Sequence, residues 1–248
     1  MNKLYFVLII IITFCGIESR GQDNNNESGK MKQNDKSTVI QLPDPEREGI
    51  MSVEEALEKR RSVRSYKPDP LSLEVVSQLL WAAYGITKNV DGGPSLRGGL
   101  RTTPSAGALY PLEIYLVAGD VTGLDPGIYR YDSEYHRLKQ EETGDVRKKL
   151  SNAALGQSMI SNAPACIFYS VIPERTTKKY GERGEKRYIC ADLGHSAENV
   201  YLQATALGLG TCAVGAFEDN RVRKVMKLPP EEDPLYIMPV GYLKDRKD

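Results

Sequence analysis

The sequence predicts an α+β domain, on three observations. Apolar spacing switches irregularly between helical and strand periods along the chain. The two kinds of segment never settle into regular βαβ repeats, and no strand runs into a glycine-rich turn and helix as a dinucleotide-binding unit requires. The 248 residues, 40% hydrophobic, suffice for one domain with a substantial core. Basic and acidic side chains, 33 of each, cancel. That balance argues against a nucleic-acid binder working through a strong positive field.

The front of the chain differs from the rest. Lys3 precedes an apolar run from Leu4 to Phe14, eleven residues long. A bilayer span takes ~20 residues, whereas a secretory apolar region takes about 7–15. Residues 1–20 are therefore read as a signal peptide or, with Cys15 lipidated, a lipoprotein leader. This makes the protein exported, periplasmic or membrane-anchored, with the leader as its membrane tether. Phe14 is a poor small-residue neighbour for lipidation, so both forms stand. Residues 21–37 hold one apolar side chain, Met31. Such a segment cannot offset its chain entropy, and residues 21–41 are assigned to a disordered tether. The folded domain is expected over 42–248, its start falling near Val39 or Leu42.

Ser52-Val-Glu-Glu55 is a capping box opening a helix that ends near Arg60 or Arg61. Val75, Val76, Leu79, Leu80 and Ala83 form the stripe of a second helix, Leu73 to Tyr84, stopped by Gly85. Residues 86–104 read as a long loop. Leu112–Ala118 reads as a strand, and Gly127–Tyr131 with Tyr135–Lys139 as a hairpin. Asp145–Ser161 is expected to be helical, Ala165–Val171 a strand, and 173–187 a polar segment. Asp192 to Leu207 is the clearest helix, with Gly208 placed to end it. Leu235–Tyr242 is a final strand. Beyond the leader, Cys166, Cys190 and Cys212 are odd in number and lack C-x-x-C spacing, so they form no disulfide framework. His136 and His195 alone make no metal-ligand pattern.

Three stretches carry candidate chemistry. Arg60-Arg61-Ser62-Val63-Arg64-Ser65-Tyr66 places three guanidiniums and hydroxyls at a helix end, where they could fork onto a phosphate. A solvated basic helix end has the same composition. Thr103-Pro104-Ser105-Ala106-Gly107-Ala108-Leu109-Tyr110-Pro111 has side chains small enough for backbone N–H groups to approach a planar ligand, as an ordinary turn also would. Gly208 to Phe217 superficially matches G-x-G-x-x-G but has Ala213 at the third glycine and follows a helix, so it is not a Rossmann turn.

Taken together and in this order, RRSVRSY, PSAGALYPLEIYLV, ADLGHSAENVYLQATALGLGTCAVGAF and MPVGY resemble the FMN-dependent nitroreductase superfamily, and within it the SagB-type, thiazole/oxazole-forming peptide dehydrogenase branch. The resemblance covers roughly residues 50–243. It implies a nitroreductase-like α+β fold, a central mostly antiparallel sheet flanked by helices, in an intertwined homodimer with two FMN sites built from both chains. It also implies that Arg60, Arg61, Ser62 and Arg64 hold the FMN phosphate and ribityl chain. Pro104, Ser105, Ala106 and Gly107 would line the isoalloxazine, and Gln157 would add a polar contact. Ala213, Val214, Gly215 and Ala216 would run beside the ring and offer backbone donors. Lys179 and Tyr180 match the pair assigned proton removal in azoline oxidation, while Lys244 and Arg246 lie where related proteins complete the phosphate site.

The implied activity is hydride transfer through flavin N5, to or from a small organic or peptidic substrate, with the electron donor unidentified. Two versions compete, a nitro- or quinone-type reductase and an azoline dehydrogenase of a peptide-modifying system. A flavin-binding sensor without turnover is the alternative from a different class. An exported protein would also need a reductant other than cytoplasmic nicotinamide.

Overall fold

The structure is a computed structural model and describes residues 38–90 and 96–244. The leader, most of the tether and Arg246 lie outside the described residues.

Nine strands and seven helices are described: β1 (Val39–Gln41), α1 (Val53–Lys59), α2 (Leu73–Tyr84), β2 (Ile86–Asn89), β3 (Gly99–Arg101), β4 (Leu112–Ala118), β5 (Gly127–Asp132), β6 (Arg137–Thr143), α3 (Arg147–Ala153), α4 (Ser158–Asn162), β7 (Ala165–Val171), α5 (Glu174–Arg183), α6 (Ile189–Ala206), β8 (Leu209–Thr211), α7 (Asp219–Met226) and β9 (Asp233–Tyr242). Seven strands form one sheet in the order β1-β6-β5-β4-β7-β9-β8, every neighbouring pair antiparallel. β2 and β3 make a separate antiparallel pair.

The alternation of side chains explains the layering. Along β4, Leu112, Ile114, Leu116 and Ala118 enter one core with α2 and α6, while Tyr115 and Val117 enter a second with α3, α4 and α7. β7 divides likewise, with Ala165, Ile167, Tyr169 and Val171 on the first face and Cys166 and Phe168 on the second. Strands buried on both sides read as continuous apolar runs, which is how both appear in the sequence. The helix–sheet–helix layering is the α+β arrangement expected.

Local signals fix several boundaries. The Ser52 side chain accepts from Glu55 N–H at 3.1 Å and opens α1, and Gly208 takes φ 70° just past α6. Other expectations are corrected. The residues 86–104 are not one loop, since β2 and β3 pair within them. The span 145–161 is two helices, because Leu155 and Gly156 adopt φ 58° and 77° between α3 and α4. The polar span 173–187 is helical: α5 kinks at Gly181 (φ 55°) and runs through a π turn, Gly184–Tyr188, into α6. β1 pairs with β6 from Val39, so residues 39–41 belong to the domain and not to a tether ending at 41.

Candidate active site

The 104–111 segment is held in a strained shape by a buried carboxylate. Gly107, Ala108 and Tyr110 take φ of 65°, 54° and 47°. For the two that are not glycine, this costs about 1–3 kcal/mol each and must be held by the surroundings. Ser105 Oγ donates to Asp192 Oδ2 at 2.5 Å and accepts from Tyr110 N–H at 2.9 Å, while Ala106 N–H donates to Asp192 Oδ1 at 3.2 Å. Asp192, on α6, is 2% exposed. Burial pushes its pKa above the usual carboxylate value, although the bonds from Ser105 and Ala106 and the nearby His195 pull the other way.

Lys179 and Tyr180, on α5, come to the same place. A Cβ on Gly107 would stand 2.6 Å from Tyr180 Oη and 3.0 Å from Lys179 Nζ. Thus Ser105, Ala106, Gly107, Lys179 and Tyr180 form one cluster, with Pro104 exposed beside it. Gly107→Ala should cost about 1–2 kcal/mol for its left-handed backbone and displace both side-chain tips. Thermal unfolding should register the first effect, and a disproportionate loss of turnover the second.

The remaining candidates gather elsewhere. Tyr201, also on α6, shares a hydrogen bond with Ser62 Oγ at 3.2 Å and accepts from Ala213 N–H at 2.8 Å. The Arg60 guanidinium lies 5.3 Å from the Tyr201 ring centroid and reaches Glu198 only at 4.0 Å. Arg61 donates to the carbonyls of Glu58 and Arg60. Among the described residues neither Arg61 nor Arg64 forms an ion pair, and Arg64 is exposed. Gln157 Nε2 donates to Ala216 O at 2.9 Å, tying that residue to the 213–216 loop.

The expectation of four backbone donors over 213–216 narrows to two. Ala213 N–H is spent on Tyr201, and Val214, buried, exchanges both backbone bonds with Ile237. Gly215 and Ala216, both exposed, have N–H groups without a partner among the described residues. Lys244 is exposed after β9.

The two groups do not meet within one chain. Asp192 and Asn199, seven residues apart, lie on one stripe of α6, and Asn199 Nδ2 binds Thr102 O and Thr103 Oγ1 at 3.2 Å. Tyr201 follows Asp192 by nine residues, about 13 Å along the axis and about half a turn around it. One side of α6 therefore carries 102–107 with Lys179 and Tyr180, and the opposite side carries Arg60, Ser62 and Ala213.

Asp192, Asn199 and Tyr201 were not singled out in the sequence as site residues. The available signal was a polar stripe, Asp192, Ser196 and Asn199 at i, i+4 and i+7, on the inward face of a helix read mainly for its apolar positions.

Comparison with known proteins bears on the family and the fold. The Nitroreductase family profile matches residues 57–242. A Methanocaldococcus jannaschii protein named as a nitroreductase is 46% identical over 202 residues, covering 82% of this chain and 95% of its own. The trifolitoxin-processing protein TfxB of Rhizobium leguminosarum is 31% identical over 66% of this chain, which spans 45% of that relative's length. The microcin B17-processing protein McbC of Escherichia coli is 28% identical over 71% of this chain and 64% of its own. A Ralstonia eutropha nitroreductase structure superposes with TM-score 0.70 and 30% identity over 84% of this chain and 90% of that one. These matches, with the sequence signature of the SagB-type branch, establish that the chain is an oxidoreductase of the nitroreductase family.

Proposed function

We propose that the protein is an FMN-dependent oxidoreductase whose two sites each draw on two copies of the chain. The carrying observation is the split across α6, where the cationic group and the 104–107 cluster face opposite ways. Each is half of a site, and a two-fold dimer would bring the half from one copy to the complementary half of the other.

The residues suit the cofactor. Arg61 and Arg64 form no ion pair among the described residues and Arg60 has only the 4.0 Å contact with Glu198, so with Ser62 they would take the phosphate. The free N–H groups of Gly215 and Ala216 would serve the ring edge, with Gln157 fixing Ala216. The Pro104–Ser105–Ala106 segment of a second copy would lie against the flat ring, with Gly107, having no side chain, letting the Tyr180 and Lys179 tips approach it closely. Bound FMN would supply hydride transfer at N5. Positive and N–H groups would stabilise the negative charge of the reduced ring. Tyr180 and Lys179 stand beside Gly107, where they could move a proton to or from the substrate.

That last placement, with the likeness to McbC and TfxB, favours oxidation of a peptidic heterocycle over simple nitro reduction. In that direction the heterocycle gives up the hydride and a proton, and the reduced flavin passes its two electrons to an acceptor such as dioxygen; only the nitro-reducing version, if exported, would need a reductant other than cytoplasmic nicotinamide.

Two measurements test the reading. The purified protein should absorb near about 370 and 450 nm, as oxidised flavin does. A colourless protein that takes up no added FMN would overturn it. For the two-chain site, Arg60→Ala/Arg64→Ala and Lys179→Ala/Tyr180→Phe proteins should each be inactive alone. Unfolded and refolded together in equal amounts, they should recover about a quarter of wild-type activity, since half the dimers carry one intact site of two. No recovery would exclude the shared site.

A further inference from the structure

Arg101 is a buried cation that forms no ion pair among the described residues, with Glu113 acting on it only at longer range. It ends β3, is 7% exposed, and its guanidinium stacks 4.5 Å from the Tyr84 ring centroid and 5.0 Å from that of Tyr110. Its hydrogen bonds go only to neutral acceptors. Nη1 donates to Tyr84 O at 2.9 Å and to Ser133 Oγ, and Nη2 donates to Arg97 O at 3.1 Å. Among the described residues no carboxylate pairs with it. Buried charges are ordinarily paired, because an isolated one forfeits its hydration. Burial draws the pKa of Arg101 below the usual guanidinium value.

Two donors nearby are unsatisfied. The Nε–H groups of Arg101 and Arg97 are both buried without an acceptor. Both residues line one cavity of about 200 Å³, together with Arg130, Ser133 and Lys139. Two of the acids on its wall are already committed. Glu113 binds Arg97, Arg130 and Arg175, and Asp132 binds Arg137 and Lys139. The third, Glu134, is exposed and bonded to nothing described.

We infer that this cavity binds a small oxyanion of the carboxylate type, held by the Nε–H groups of Arg101 and Arg97 with Lys139 supplying further positive charge. The guanidinium edge favours a planar oxyanion over a spherical ion, since Nε–H and a neighbouring Nη–H match two oxygens. Of the five N–H donors of Arg101, three are used, leaving Nε–H and one on Nη2 for such a ligand. The volume suits an acid of a few carbon atoms and excludes a nucleotide. Occupancy would stiffen the ring stack of Arg101 on Tyr110, which lies within the 104–111 segment. The inference does not depend on the flavin.

Thermal unfolding of the full-length protein with formate, acetate or chloride, at ionic strength held constant by a bulky sulfonate salt, tests this. Formate and acetate should raise Tm saturably, by about 5–10 °C at roughly 100 times the dissociation constant, and chloride by far less. Arg101→Gln should abolish the shift. If that variant does not fold, Lys139→Gln, at a 40% exposed side chain, should fold and need several times more acetate for the same shift. An unchanged acetate requirement in Lys139→Gln would remove that residue from the site and overturn the assignment. A flat response to both carboxylates would overturn the site, as would an equal response to chloride for the carboxylate class.

Discussion

On the proposed FMN site, protein carrying Arg60→Ala and Arg64→Ala is expected to purify without flavin while remaining folded. Charge-assisted hydrogen bonds are each worth about 1.5–3 kcal/mol. Losing two of them weakens FMN binding roughly 100- to 10,000-fold. The fold has little to lose, because Arg64 is exposed and the Arg60–Glu198 pair is long and solvent-facing. Such pairs contribute about 0–1 kcal/mol. The measurement is FMN titration followed by fluorescence, with the unfolding midpoint of the flavin-free proteins as control. Unchanged FMN affinity would remove these residues from the phosphate site.

The second large effect concerns Glu113, where β4 begins. Its carboxylate meets Arg97, Arg130 and Arg175, the last at 2.5 Å. Burial pushes its pKa upward, but the three guanidiniums outweigh that and hold it at about 2, against an ordinary 4.5. Arg130, with Glu232 as a second carboxylate at 2.7 Å, is held more firmly protonated than usual. Arg175, more affected by burial and by facing Arg97, is not. Because the folded pKa of Glu113 is depressed, its stabilisation is complete above about pH 4.5 and is lost as pH falls toward 2. The size is about 3 kcal/mol. Glu113→Gln should therefore lower Tm at neutral pH by roughly 10 °C and flatten the acid limb between those pH values. A variant whose Tm falls with acid as steeply as wild type would show that other carboxylates carry the limb.

Legibility in the sequence followed the amount of local information. Leu73–Tyr84, Leu112–Ala118 and Ala165–Val171 have the bounds the apolar pattern gives, because each buries a full stripe or both faces. α7 escaped notice because only Val222 and Met226 are buried in it, and β8 because three residues cannot display alternation. α5 buries only Thr176 and has no apolar period to read. The candidate site was legible as motifs, but not as two halves. Ser105 finds Asp192 across 87 positions and Ser62 finds Tyr201 across 139, pairings only the folded chain creates.

The sheet ends in two strands of three residues, β1 and β8. Short edges give a neighbouring molecule little backbone on which to add a strand. At β8 there is a further guard, since Val63 N–H donates to Thr211 O at 2.9 Å and Ser62 bridges Thr211 in parallel. The segment proposed to offer cations to a phosphate is thus also the cover of an otherwise open sheet edge. Loosening that segment would uncover the backbone of β8, so a ligand that held 60–64 in place would also keep this edge closed to neighbouring molecules in storage and at high concentration.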